Sequence, residues 1–254
     1  GRTAGEDKDN SAAEGSWFLT GKERELLRKV CGAFSRTIVL LNVGNIMDMN
    51  WVDEFSPAAV MYVWQGGQEG GNGVLDVLTG RVSPCGKLPD TIAFDLADYP
   101  AGENYGGTKR NFYAEDIYVG YRYFETFAKD RVRYPFGFGL SYTDFAMSVA
   151  LKATEREILA AARVINTGNA CGREVVQIYL EKPQGTLGQP ARQLVSFAKT
   201  KNLRPDESER LLLHIPLESL ASFDDSGASG HPNAWVMEEG EYIFYAGTDV
   251  RSAR

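Results

Sequence analysis

Two predominantly apolar runs, TIVLLNV (37–43) and AAVMYVW (58–64), constrain this chain more than any other feature in it. Each is strand-length, and neither alternates apolar with polar, so neither suits a sheet with one wet face. Runs of this kind belong in parallel strands covered on both sides. Parallel strands need a crossover, and a short helical piece around Trp51–Phe55, closed by Pro57, stands where one is required. Upstream, Thr20 and Glu23 have capping-box spacing, and Leu26, Leu27, Val30 and Phe34 share one face of a helix over about Gly21–Phe34. Downstream, the glycines of QGGQEGGNG (65–73) open a short helix to about Leu78, with Gly80 as its C-cap. Helix, strand, helix, strand, helix is part of an α/β sheet, and two core strands are few for a whole one. Because the chain starts at Gly1 without a Met, it is expected to lack the N-terminal side of that domain.

The pattern then changes twice. From about Pro84 to Tyr142 the chain is loop-rich, aromatic and punctuated by glycine. After Phe145, strand-like segments recur with turn signals and no helical periodicity between them: EILAAARVINTG, EVVQIYLEKP, RQLVSFAKTKNL, ERLLLHIPL and GEYIFYAGTD. Regular spacing of this kind predicts a β-sandwich. The expected fold class is therefore α/β, a partial α/β sandwich with a parallel-type sheet, followed by an all-β sandwich. The expected boundaries are 1–100 for the α/β part, 101–143 for an aromatic connector and 144–254 for the sandwich.

Charge and motifs narrow the function. The net charge is −7 and the pI about 5.0, with Lys and Arg scattered, which argues against nucleic acid or an anionic membrane as partner. No apolar run approaches the ~20 residues of a membrane span. Cys31, Cys85 and Cys171 are odd in number and far apart, so free thiols and a reducing, cytoplasmic setting are expected. No metal and no cofactor is expected. The EF-hand pattern fails for Asp7 and Asp9, because its glycine and glutamate positions hold Ala12 and Phe18. Gly71-Asn-Gly73 lacks a third glycine for dinucleotide binding, no P-loop follows, and no G-x-S-x-G occurs. Tyr113, Tyr118, Tyr121 and Tyr123 suit either stacking on sugar or packing between domains, with packing the stronger expectation.

Three long stretches carry a resemblance. EDIYVGYRYFE (115–125) followed by YPFGFGLSYT (134–143) is similar to a signature of family 3 glycoside hydrolases. VWQGGQEGGNGVLDVLTGRVSPCGKLPDT (63–91) resembles that family's W-x-G-Q-E-G-G … G-K-L-P-x-T segment, and the end of the chain resembles its fibronectin type III-like domain. The resemblance implies a retaining β-glycosidase, β-glucosidase-like, acting on terminal non-reducing β-D-glucosyl residues. It also implies an aspartate nucleophile on a barrel domain absent from this sequence. Its relatives that cleave β-xylosides or α-arabinofuranosides are the alternative within the family. A non-catalytic sugar-binding or interaction module is the alternative outside enzymes.

The family's acid/base glutamate lies in a pattern close to R-x-x-G-E-G-x-D-R, just before E-G-S-[WY]-x-L-T. Arg2-Thr-Ala-Gly-Glu6-Asp-Lys-Asp9-Asn and Glu14-Gly-Ser-Trp-Phe-Leu-Thr20 match it, with Asp7 and Asn10 as departures. The resemblance thus implies Glu6 as acid/base, Arg2 and Asp9 as residues that orient its loop or contact substrate, and Trp64 and Glu69 as lining of the sugar cleft. A β-glucoside or oligosaccharide is the implied partner, together with the barrel of the same protein.

Overall fold

The computed structural model describes residues 11–104 and 109–254, which fall into two compact units. The first draws on the chain up to Arg81, on Asp90–Ala114 and on Asp130–Tyr134; the second on Val82–Pro89, Glu115–Lys129 and Pro135–Arg254. The stretch 101–143 is thus shared between the units, and the chain passes from one to the other more than once.

In the first unit, α1 (Gly21–Ala33) starts at Thr20 with a reciprocal cap: the hydroxyl accepts from the Glu23 amide, and the Glu23 carboxylate accepts from the Thr20 amide. Strands β1 (Ile38–Leu41) and β2 (Ala59–Tyr62) pair in parallel, Ile38 with Ala59 through Leu41 with Tyr62. The crossover between them contains α2 (Trp51–Phe55). Helix α3 (Gly70–Leu78) follows, and Gly80 closes it at φ +72°, where a side chain would be strained. Two distant short strands, β3 (Ile92–Ala93) and β4 (Val132–Tyr134), pair antiparallel.

The expectation that β1 is covered on both faces is not met in this chain. Leu41 is buried, but Ile38 is 51% and Leu40 40% exposed, and Leu26 and Phe34 of the α1 stripe are exposed too. The faces of a strand are buried by the layers packed on the sheet, and the described helices α1 and α3 each contribute no buried residue. The core of this unit lies instead around Trp17, Leu19, Val43, Met47, Met49, Trp51, Ile92 and Val132.

The second unit holds α4 (Tyr121–Phe127) and eight strands: β5 (Phe145–Ala153), β6 (Glu157–Asn166), β7 (Val175–Glu181), β8 (Gln193–Lys199), β9 (Ser208–Pro216), β10 (Ser222–Asp224), β11 (Ala234–Val236) and β12 (Ile243–Gly247). Antiparallel sheets β5-β6-β9 and β12-β7-β8 enclose a core of Ala160, Ala162, Val164, Val176, Ile178, Leu180, Leu213 and Ile215. Alternate residues of each strand point inward, as period-two side chains require.

Strand β7 is buried on both faces because its second face is covered by former "connector" residues. Tyr121 stacks on Phe136 with centroids 4.5 Å apart and meets Tyr179 edge-on at 6.1 Å, while its hydroxyl accepts from the Leu194 amide. Tyr121 is therefore core. Tyr118 and Tyr123 lean on Phe127, and Tyr113 is exposed. An ion pair between half-buried Lys87 and buried Glu174, Nζ to Oε1 at 2.8 Å, fastens the Val82–Pro89 strip to the same unit. Lys87 also donates to the Gly139 carbonyl, which satisfies a second of its protons.

Hairpin β10–β11 is organised by one carboxylate. Asp224, fully buried, accepts from the amides of Ser226, Gly227, Ala228 and Ser229 and from the hydroxyls of Ser226 and Ser229. These donors, led by the Ser229 hydroxyl, hold its carboxyl well below the usual carboxylate range. A folded-state pKa below the unfolded value of about 3.9 contributes stability that is present above that value and lost as pH falls through the folded pKa. Asp224→Asn is therefore expected to lower Tm at pH 7, and the gap from wild type should shrink steadily as the pH is taken below about 4. Calorimetric scans of both proteins between pH 7 and pH 2.5 check this; a gap that stays constant would show that the charge is not the stabilising feature.

Candidate active site

Of the five residues implied for the site, Arg2, Glu6 and Asp9 lie outside the described residues. What the structure describes is the ground on which their segment stands. Ser11–Phe18 is a compact loop: the Ala13 amide donates to the Ser11 carbonyl, the Phe18 amide to Ala13, and the Gly15 amide to Phe18. Gly15 sits at φ +80° in this turn. Trp17 is the anchor. It is fully buried, its ring lies edge-on to Tyr99 at 5.8 Å, and its carbonyl accepts from the Asp48 amide at 3.0 Å. Leu19 is buried beside it, and the Glu14 carboxylate accepts from the Gly21 amide as α1 begins.

Tyr99 belongs to this support. Its hydroxyl donates to the Thr91 carbonyl and accepts from the Ala93 amide. Burial pushes its phenol up to about 12, so it remains a donor throughout the neutral range. Asp48 is buried as well: its carboxylate accepts from the Asn50 amide and its carbonyl from Trp51 Nε1.

Trp64 and Glu69 are described, and the structure separates them. Trp64 follows β2 at φ +52°, an unusual conformation for a residue with a side chain, and its ring packs on Tyr62 with centroids 4.9 Å apart. It lines a cavity of about 630 Å³ at the carboxyl ends of β1 and β2, with Leu40, Asn42, Met61, Gly66 and Gly70 among its other walls. Ligands of open α/β sheets sit at that end of the strands. The glycines there serve close packing, because a Cβ on Gly66 would lie 2.8 Å from the Gly70 backbone. Glu69 is not among the walls of this cavity. It is exposed at the start of α3 and takes a hydrogen bond from the Asn72 side-chain amide.

One charged pair was invisible in the sequence. Arg133 of β4 grips the Asp53 carboxylate of α2 with two parallel hydrogen bonds, 2.7 and 2.8 Å, and its guanidinium lies over the Phe94 and Tyr134 rings. The Arg133 hydrogen bonds hold the Asp53 carboxyl below its ordinary range. Nothing in the local sequence marks this pair, because its members are 80 residues apart. Among the described residues no three metal-ligating side chains gather.

The family profile of the glycosyl hydrolase family 3 C-terminal domain matches residues 1–142, and that of a fibronectin type III-like domain matches residues 174–250. The chain belongs to glycoside hydrolase family 3, with an α/β part followed by the fibronectin type III-like sandwich. It is 58% identical over its whole length to a beta-glucosidase of Ruminococcus albus, of which it covers 27%. It is 44% identical over 94% of its length to beta-glucosidase A of Butyrivibrio fibrisolvens, covering 31% of that protein. Among solved structures it superposes on a beta-glucosidase from Paenibacillus barengoltzii with a TM-score of 0.97 and 50% identity, covering all of this chain and 28% of that one. On beta-glucosidase 3B from Thermotoga neapolitana in complex with glucose, the TM-score is 0.90 at 38% identity, covering 99% and 35%. The chain thus spans about a third or less of each relative.

Proposed function

We propose that this chain is the part of a retaining β-glucosidase that supplies its acid/base, Glu6, while the nucleophile comes from a barrel domain encoded outside these residues. The observation that carries the reading is the 58% identity to a beta-glucosidase over the whole length of this chain, which contains the glutamate-bearing motif. Retaining hydrolysis needs two carboxyl groups about 5–5.5 Å apart across the scissile bond. One attacks the anomeric carbon. The other must first protonate the leaving oxygen and then, deprotonated, activate water. Glu6 is assigned the second pair of tasks, with Arg2 and Asp9 orienting its loop and Trp17 holding the segment that follows. Trp64 offers an aromatic wall for a sugar ring. Glu69, turned to Asn72, is assigned to the rim of the cleft.

Sugar choice tests this reading against its neighbour in the family. In the longer protein that carries the barrel, kcat/KM for a nitrophenyl β-glucoside is expected to exceed that for the β-xyloside by at least tenfold, as one hydroxymethyl group filling a subsite allows (about 1–3 kcal/mol). A ratio reversed in favour of xyloside, or of an α-arabinofuranoside, would move the assignment to that branch.

A further inference from the structure

The hairpin of β10 and β11 carries an aromatic face that the proposed catalysis does not use. Its two sides are sharply different. Asp224 is buried and Ala234 and Val236 are half-buried on the inner side, whereas Phe223, Trp235 and Met237 are exposed on the outer side. Phe223 and Trp235 are direct cross-strand partners with ring centroids 5.5 Å apart at 60°, and the Trp235 side chain is 71% exposed. An isolated two-stranded hairpin is marginal in water. This one is held from beneath by the six hydrogen bonds to Asp224 and by Lys182, whose ammonium is itself buried and donates to the Ala221 carbonyl and the Ser222 hydroxyl. The next loop is pinned in turn, with the Glu238 carboxylate accepting from the Thr186 amide and hydroxyl.

We infer that this face is a carbohydrate-stacking platform for a neutral β-linked glucan. A β-linked glucose unit carries its hydroxyls equatorially, so each face of the ring is a patch of C–H that fits against a flat indole. The platform is rigid before binding, so little conformational freedom is lost on contact. The segment that carries it, residues 222–242, is acidic in sequence and holds no Lys or Arg. Asp225, Glu238, Glu239 and Glu241 outnumber His231 in the segment, in a chain of net charge −7. A segment of this charge disfavours anionic lipids and nucleic acids and leaves a neutral ligand the better fit. The patch is also too small for a stable protein interface: three side chains of the order of 150–250 Å² each fall short of the ~800 Å² per partner that such interfaces bury.

Native electrophoresis of the 254-residue chain through gels containing soluble barley β-glucan tests the inference. The chain should be retarded, with Trp235→Ala weakening the apparent affinity at least tenfold and Phe223→Ala weakening it less. Phe197→Ala, which removes a similarly exposed aromatic from β8, should leave retardation unchanged. Sedimentation velocity is run in parallel. Absence of retardation, or retardation that survives Trp235→Ala, overturns the proposal. A self-association lost in Trp235→Ala without glucan binding also overturns it, and assigns the face to a second copy of the chain. Failure here is distinguishable from failure of the acid/base reading, because retardation reads Trp235 in this chain whereas turnover by Glu6→Ala is read in the longer protein.

Discussion

Glu6→Ala, made in the longer protein, is expected to cut turnover of substrates with a poor leaving group by about 10²–10⁴-fold, the range that a positioned acid/base supplies. The effect should depend on the leaving group, and the dependence is the diagnostic part. An alkyl or unactivated aryl glucoside needs its departing oxygen protonated, so formation of the glycosyl–enzyme slows with the acid gone. A dinitrophenolate leaves unaided, so with that substrate the first step survives and the second becomes limiting, because water is no longer activated. The intermediate should then accumulate, visible as a burst, and KM should fall with kcat. Azide needs no general base and should restore turnover while giving β-glucosyl azide. The pH profile supplies a further check: its alkaline limb, set by the proton on the acid, should disappear in the variant. If Glu6→Ala proves nearly silent on the poor leaving group, the first ten residues are not the acid/base loop and the assignment falls.

The legible part of this chain was whatever neighbouring residues decide among themselves. Thr20 and Glu23 are three apart, and their reciprocal cap is formed as the spacing predicts. Gly80 takes the positive φ expected of a residue just past a helix, and the apolar runs at 37–43 and 58–64 each contain a strand of a parallel pair. The strand-like segments after Phe145 became β6, β7, β8, β9 and β12. Strand β5 was not among them, although FAMSVALKA alternates Phe145, Met147, Val149 and Leu151 with small or polar residues, because it follows directly on the glycine-rich, aromatic stretch. The hairpin β10–β11 was missed for another reason: its order comes from Asp224, whose carboxylate turns an otherwise loop-like DDSGASG into a closed turn. Pairings that cross the chain were out of reach. Arg133 with Asp53, Lys87 with Glu174, and the buried Glu125 with Arg251 join segments that no periodicity links. The candidate site was suggested by resemblance alone, since Glu6 by itself is one carboxylate in an acidic stretch, and of the two implied residues that are described Trp64 lines the cavity beside β2 while Glu69 does not.

The same contrast between local pattern and distant contact gives the largest stability effect expected. In YPFGFGLSYT the two glycines differ in kind. Gly137 has φ +83°, and a Cβ there would lie 2.7 and 2.8 Å from the Gln177 side-chain amide atoms and 3.0 Å from Asp249 Cα. Gln177 cannot step aside without loss. It is buried on β7, donates to the Thr248 carbonyl and accepts from the buried Tyr179 hydroxyl. Gly137→Ala therefore combines about 1–2 kcal/mol for a left-handed backbone with about 1–3 kcal/mol for overpacking. For a unit of this size that is a fall in Tm of about 10 °C. Gly86→Ala is the matched control: it lies on the strip that pairs with the same loop, and a Cβ there meets nothing within 4 Å. It should stay within about 1 kcal/mol of wild type, the usual range for a substitution that meets no neighbour. Gly139 should behave like Gly137 though it is not at positive φ, since its Cβ would run into the Gly86 carbonyl oxygen. Calorimetry on the three variants distinguishes backbone strain from crowding. If Gly137→Ala melts within a degree or two of Gly86→Ala, then Gln177 repacks freely and the loop that closes over β7 is looser than its hydrogen bonds imply.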